Sequence, residues 1–166
     1  MACRGVHFAL PVEDLDRVLA CTTHDDLIDV IQSDIEERYF EAGEWCYETD
    51  KAWDAIHRCL AAGYLIPDDG PYPASLAILG GKPLHKGPEY IVPLTPSSQV
   101  AATATFLACV SEEHLRARYF ALDEHNYGVS LLEEDFAYTW EYFSGLAEFF
   151  SRAANRGLSV LFTVDQ

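Results

Sequence analysis

Residues 131 to 155 carry Phe136, Trp140, Phe143, Ala147 and Phe150 at helical spacing, end in Asn155-Arg156-Gly157, and run at once into Leu158-Ser-Val-Leu-Phe-Thr-Val164. Apolar residues recurring at i, i+4 and i+7 define a long amphipathic helix, and its stripe has to be buried against another layer. Gly157 suits the positive φ that ends many helices, and the β-branched and aromatic run after it is the strongest strand signal in the chain. Together they require a sheet with a long helix packed across it.

Gly5 to Leu10 is short, apolar and closed by Pro11, which reads as a second strand. Val12, Leu15, Val18 and Leu19 then recur at helical spacing as far as Cys21. Thr23 with Asp26 resembles a capping box for a helix bearing Leu27, Ile28, Ile31 and Ile35. Asp50 suits the N-cap of a helix carrying Trp53, Ile56 and Leu60 and ending near Gly63. The Pro/Gly-rich stretch from Pro67 to Pro96 separates two helical halves; within it Ser75 to Leu79 fits a short strand or a helical turn. Glu89 to Leu94 reads as a strand whose Pro93 marks an edge or an end. Thr95-Pro96 reads as N-cap and first residue of a helix with Val100, Ala104, Leu107 and Val110, and Ser111 caps another with Leu115 and Tyr119. Helices and strands do not alternate regularly. The predicted fold is therefore α+β: a small mixed sheet of residues 5–10, 89–94 and 158–164 packed against five or more helices, as a single domain over residues 1–166.

Charge narrows the partners. The chain has 27 acidic and 11 basic residues, a net charge of −16, which makes nucleic acid an improbable ligand. Residues 11 to 50 hold thirteen carboxylates against Arg17 and Arg38 alone, mostly on the outer faces of amphipathic helices. Such a face either keeps the protein in solution or attracts a basic protein partner. No apolar run is long enough to span a membrane, and Val6 to Leu10, interrupted by His7, is too short for a secretory signal. Cys3, Cys21, Cys46, Cys59 and Cys109 are odd in number and scattered, as expected of reduced, mostly buried thiols in a cytoplasmic protein.

The chemical motifs are mostly absences. Gly80-Gly81-Lys82 runs into Pro83 rather than Ser or Thr and is no phosphate loop, and no nucleophile elbow, zinc-helix or dinucleotide fingerprint occurs. His24, Asp25, Asp26 and Asp29 have no second ligand segment, and His57 and Cys59 point about 200° apart on a helix. No catalytic residue, cofactor or metal is assigned. One constellation stands out in Asp50-Lys51-Ala-Trp53-Asp54-Ala-Ile-His57. Asp54 and His57 are three apart, so the carboxylate can orient the imidazole while Trp53 supplies an apolar wall. The plainer alternative is a capped amphipathic helix with its Trp in the core.

The chain resembles the YfbM-like family, a bacterial family filed as a domain of unknown function, number eighteen seventy-seven. The resemblance runs nearly end to end: Arg4-Gly-Val-His-Phe-Ala-Leu10, Asp50-Lys51-x-Trp53-Asp54-x-Ile56-His57, Leu76-Ala-Ile-Leu-Gly80-Gly81 with Pro83-Leu84, and Tyr90. It continues in Leu94-Thr-Pro-x-x-Gln-Val100, Leu115-Arg-x-Arg118 and Phe149-Phe-x-x-Ala153-Ala-x-x-Gly157-x-x-Val160-Leu161. It implies an α+β fold and no particular activity. The Asp-Lys-x-Trp motif falls on Asp50, Lys51 and Trp53, and the Leu-Gly-Gly turn on Leu79, Gly80 and Gly81. Where members often carry Tyr-Pro, this chain has Tyr127-Gly128.

Two functions are compatible with these residues. One is a non-catalytic binding protein, of inhibitor or immunity type, presenting its acidic surface to a basic protein. The other is a small-molecule binder or hydrolase-like enzyme with a cleft near Trp53, Asp54, His57 and Tyr90. A deep pocket converging on His57 favours the second; a continuous acidic face with a shallow site favours the first.

Overall fold

Five strands, β1 (Gly5–Leu10), β2 (Cys46–Asp50), β3 (Lys82–His85), β4 (Tyr90–Thr95) and β5 (Ser159–Asp165), form one sheet in the order β2-β1-β5-β4-β3. These come from a computed structural model that describes residues 3–67, 69–85, 87 and 89–165. The three predicted strands are its inner three. Every pairing is antiparallel, so the strand directions are not mixed as expected. Direction follows from how the intervening helices return the chain, which residue alternation does not encode. The edge strands β2 and β3 had no sequence signal, since β2 is largely polar and β3 contains Pro83. Pro93 is not at an edge: β4 lies between β5 and β3, and Pro93 sits opposite Pro83. Each proline lacks an N–H, so this facing pair is not one of the rungs that exchange two backbone hydrogen bonds.

Strand periodicity divides the core in two. Phe8, Leu10, Tyr90, Val92 and Leu161 point to one face. It is covered by α1 (Val12–Leu19), α2 (His24–Val30), a π-helical stretch (Ile31–Glu36) and α3 (Glu37–Ala42), through Val18, Leu27, Ile31, Ile35 and Tyr39. Ala9, Val160, Phe162 and Val164 point to the other face. There they meet α4 (Ala52–Leu60), a 3-10 turn (Ala74–Ala77), α5 (Ser97–Cys109), α6 (Glu112–Tyr119) and α8 (Glu133–Asn155), while α7 (Glu124–Tyr127) is a single turn before α8. Helices on both faces explain why all six residues of β1 are buried. The long helix is α8, 23 residues, buried through Phe136, Phe143, Phe149 and Phe150, with Trp140 and Ala147 at the margins.

Local signals hold in part. Thr23 Oγ1 accepts the Asp26 N–H at 3.1 Å, Ser111 Oγ accepts the His114 N–H at 3.1 Å, and Gly157 takes φ 65° after α8. Two expected caps are not made. Thr95 belongs to β4 and donates its hydroxyl to Leu76 O at 2.9 Å, leaving Pro96 at the N-cap of α5. Asp50 ends β2, and the N-cap of α4 is Lys51, with no side-chain cap. The Leu-Gly-Gly turn has a steric origin: a Cβ on Gly80 would stand 2.7 Å from the Ser75 backbone, and one on Gly81 would stand 2.7 Å from that of Leu94. Gly128 takes φ 77°, a value proline cannot adopt, so the step after Tyr127 differs in backbone shape from a Tyr-Pro step. Arg118 donates to Cys59 O at 3.1 Å and Ala61 O at 2.6 Å, satisfying carbonyls at the C-terminal end of α4.

Not every acid faces out. Asp14 is buried, accepting from Arg38 at 2.7 Å and from the Tyr39 hydroxyl at 2.8 Å. Burial raises its pKa, but those bonds and the Arg38 and Arg17 charges prevail and hold it below its ordinary value. Glu36, last in the π-helical stretch, turns inward, where its Oε1 accepts from Tyr90 at 2.9 Å and from Thr163 at 3.1 Å. The thiols are also less buried than expected: Cys59 is inside, Cys109 is exposed, and the other three are half-buried.

Candidate functional site

Where β2 turns into α4, a cleft of about 940 Å³ opens toward α7 and the start of α8. One wall is Asp50, Lys51, Trp53 and Asp54; the opposite wall is Tyr127, Asp135, Tyr138 and Thr139, with Leu65 and Val129 at the lips. Asp50 lies in the left-handed region, φ 43°, the only described non-glycine residue with positive φ. Such a conformation turns the strand sharply, and aspartate tolerates it better than most residues.

Each wall is fixed from behind. Trp53 is 4% exposed, packs against Phe162 with ring centroids 6.0 Å apart, and donates its indole N–H to Cys3 O at 3.1 Å. Asp54 is paired with Arg58, whose guanidinium also donates to Asn126 Oδ1 at 2.5 Å and lies 5.6 Å from the Tyr127 ring centroid. Asp135 Oδ2 accepts from Tyr119 at 2.5 Å and from Tyr127 at 3.2 Å. Tyr138 donates to Asp50 Oδ2 at 2.8 Å; burial first, and then that bond, pushes its hydroxyl up to about 12. The cleft therefore presents anchored carboxylates, aromatic rings and one lysine.

Four of the six candidate residues, Asp50, Lys51, Trp53 and Asp54, meet here. His57 and Tyr90 do not. His57 is fully buried, its Nε2 against Ile66 O at 3.0 Å; burial lowers its pKa, and Asp54 pairs instead with Arg58. An i,i+3 spacing left both partners open to Asp54, and the i,i+4 arginine prevailed. Tyr90 lies on the sheet face covered by α1 to α3, with its hydroxyl on Glu36, so strand alternation points it away from the cleft. Sequence reasoning missed Tyr127, Asp135, Tyr138 and Thr139. Their one sequence signal is the position of Asp135 and Tyr138 beside, rather than on, the apolar stripe of α8.

Among the described residues no group of three or more His, Cys, Asp or Glu side chains could hold a metal ion, and no helix is long and apolar enough to cross a membrane.

A five-stranded antiparallel sheet covered by helices on both faces, with an open cleft where an edge strand meets a helix, defines the chain as an α+β protein. It belongs to the family described as "Domain of unknown function (DUF1877)", whose model matches residues 1–163. The fold is similar to the crystal structure of YfbM, a protein of unknown function from Escherichia coli, with a TM-score of 0.67 and 21% identity over 97% of this chain and 99% of that one. No curated protein matches the chain.

Proposed function

We propose that this chain is a non-catalytic binding protein, of inhibitor or immunity type, that presents the acidic surface of α1 to α3 and β2 to a basic protein. The supporting observation is where the two arginines of this stretch are engaged. Arg17 Nη1 lies 2.6 Å from Asp34 and 3.4 Å from Asp14, and Arg38 bonds the same two carboxylates at 2.7 to 3.0 Å. Nine of the thirteen acids remain exposed, including Asp25, Asp26, Asp29, Glu37 and Glu41, with no basic residue of the stretch left to offset them. Such a field steers cationic partners and speeds encounter. The separation of His57 from the cleft removes the imidazole on which a hydrolase-like reading relied.

Capture from native cell extract tests this at about 0.1 M and about 1 M salt, between which the screening length falls from about 10 Å to about 3 Å. A basic protein is expected at low salt and lost at high salt, and D26K/D29K/E37K/E41K is expected to abolish its capture. Equal association rates of that partner with the wild type and the reversed variant overturn the proposal.

A further inference from the structure

A second cavity, of about 470 Å³, lies at the end of the sheet where β1 leaves through Pro11 and β2 begins after Trp45, between α3 and the C-terminal end of α8. Its accessible walls are apolar: Pro11, Ala42, Trp45 and Leu158 come from separate segments of the chain, and each keeps surface open to solvent. Trp45 packs against both cores, so its ring is held from two sides. Apolar walls around a space of this size suit a small organic ligand, whose apolar part would take their place in water.

The charges lining this cavity are not balanced. Asp14 is matched, because Arg17 and Arg38 pair with it and with Asp34, two cations against two anions. Those contacts use Nε and Nη2 of Arg38 and hold its guanidinium in place, while Nη1 bonds no described residue. Arg156 is the uncompensated charge. Its side chain is exposed and forms no ion pair with a described residue, in a chain whose carboxylates outnumber its Lys and Arg 27 to 11. Two guanidinium groups, one fixed and one free, beside an apolar cavity suit a carboxylate, whose two oxygens match their paired N–H groups. A single unbalanced cation in a chain of net charge −16 fits a monoanion better than a phosphate dianion.

We propose that this cavity binds a small monocarboxylate with an apolar body, its carboxylate received by Arg156 and by Nη1 of Arg38, its alkyl or aryl part against Pro11, Trp45 and Leu158. The site lies outside the cleft at Asp50 and does not depend on the acidic-face reading. The same chemistry is carried by a free acid and by the C-terminal carboxylate of a polypeptide ending in an apolar residue.

The test is an NMR titration of the intact chain with hexanoate and phenylacetate, with hexanamide and hexylammonium as controls, following the Trp45 indole N–H. Saturable shifts are expected with both acids, hexanoate binding about tenfold more tightly than hexanamide. R156Q, at an exposed side chain with no ion-pair partner among the described residues, is expected to weaken hexanoate about fivefold or more and to leave hexanamide within about twofold, whereas a purely structural effect would weaken both. R152Q removes another exposed arginine, one turn earlier on α8 and outside the cavity lining, and is expected to bind hexanoate within about twofold of wild type. An acetylated Gly-Gly-Leu peptide with a free C-terminus binding about tenfold more tightly than hexanoate assigns the carboxylate to a polypeptide end; equal or weaker binding assigns it to a free acid. No saturable shift at Trp45, hexanamide or hexylammonium binding as tightly as hexanoate, unchanged hexanoate binding by R156Q, or an equal loss in R152Q overturns the inference.

Discussion

Tyr138 donates its hydroxyl to Asp50 Oδ2 at 2.8 Å and accepts the Lys51 N–H on the same oxygen at 3.2 Å. One side chain of α8 thereby holds both the carboxylate and the backbone of the corner between β2 and α4. The Asp-Lys-x-Trp motif is, in this chain, the inner wall of a cleft and the hinge of a left-handed turn.

Removing that hydroxyl should loosen the corner. Tyr138→Phe is expected to lower stability by about 1 kcal/mol, a modest figure for a bond to a charged group because Asp50 is partly solvated. Asp50→Ala should have a similar effect, and the double variant should lose about 0.5 kcal/mol less than the sum of the two. Urea midpoints of the four proteins measure this. Strict additivity would mean that Asp50 acts elsewhere, for instance as a helix cap.

The acids of the helical layer are not equivalent. Glu36 accepts from Tyr90 and Thr163, tying the π-helical stretch to two central strands, whereas its neighbour Glu37 is exposed. Glu36→Ala should cost about 1 to 3 kcal/mol by leaving buried hydroxyls without an acceptor, while Glu37→Ala should stay within about 0.5 kcal/mol of wild type. Equal denaturation midpoints for the two variants contradict this assignment.

Backbone crowding makes a separate prediction at the Leu-Gly-Gly turn. A methyl group at Gly80 or Gly81 meets main-chain atoms of Ser75 or Leu94 at 2.7 Å, and neither can swing aside as a side-chain tip does. Gly80→Ala and Gly81→Ala should each cost about 2 kcal/mol or more. Gly43→Ala, at φ 70° with no atom within 4 Å of the added Cβ, should cost about 1 kcal/mol, since only the backbone conformation opposes it. Thermal melts of the three variants rank them.

Acid should weaken the fold through its buried imidazoles. His7 lies wholly inside the core beside Phe162; burial pushes it from 6.5 down to about 4, against the opposing pull of the Ala77 carbonyl. With the folded value below the unfolded one, its contribution is complete above about 6.5 and is lost as the pH falls toward about 4, about 3 kcal/mol in all. His57 acts in the same direction. Neutralising the −16 charge relieves self-repulsion over the same range and works the other way, so the informative quantity is the difference between wild type and His7→Gln. Urea midpoints at pH 7.5, 6 and 5, near and below the free imidazole value, should fall more steeply for wild type. Parallel curves would exclude His7 as a source of acid sensitivity.

The sequence by itself determined the α+β class, the three inner strands, α8 and its stop at Gly157, and the caps at Thr23 and Ser111. These rest on periodicity and on backbone preferences confined to a few neighbouring residues. It also brought Asp50, Lys51, Trp53 and Asp54 to notice, which lie within five residues of one another. Only the tertiary structure decided the strand directions, the edge strands β2 and β3, and the opposite wall of the cleft, because Tyr127 on α7 and Asp135 and Tyr138 on α8 reach it only when those helices dock. It decided, too, that Tyr90 faces away, that Asp54 takes Arg58 rather than His57, and that Asp50 is anchored by a tyrosine 88 positions along the chain. A local pattern states which partners a side chain can reach within a turn or two; which of them it takes depends on competitors that only packing brings near.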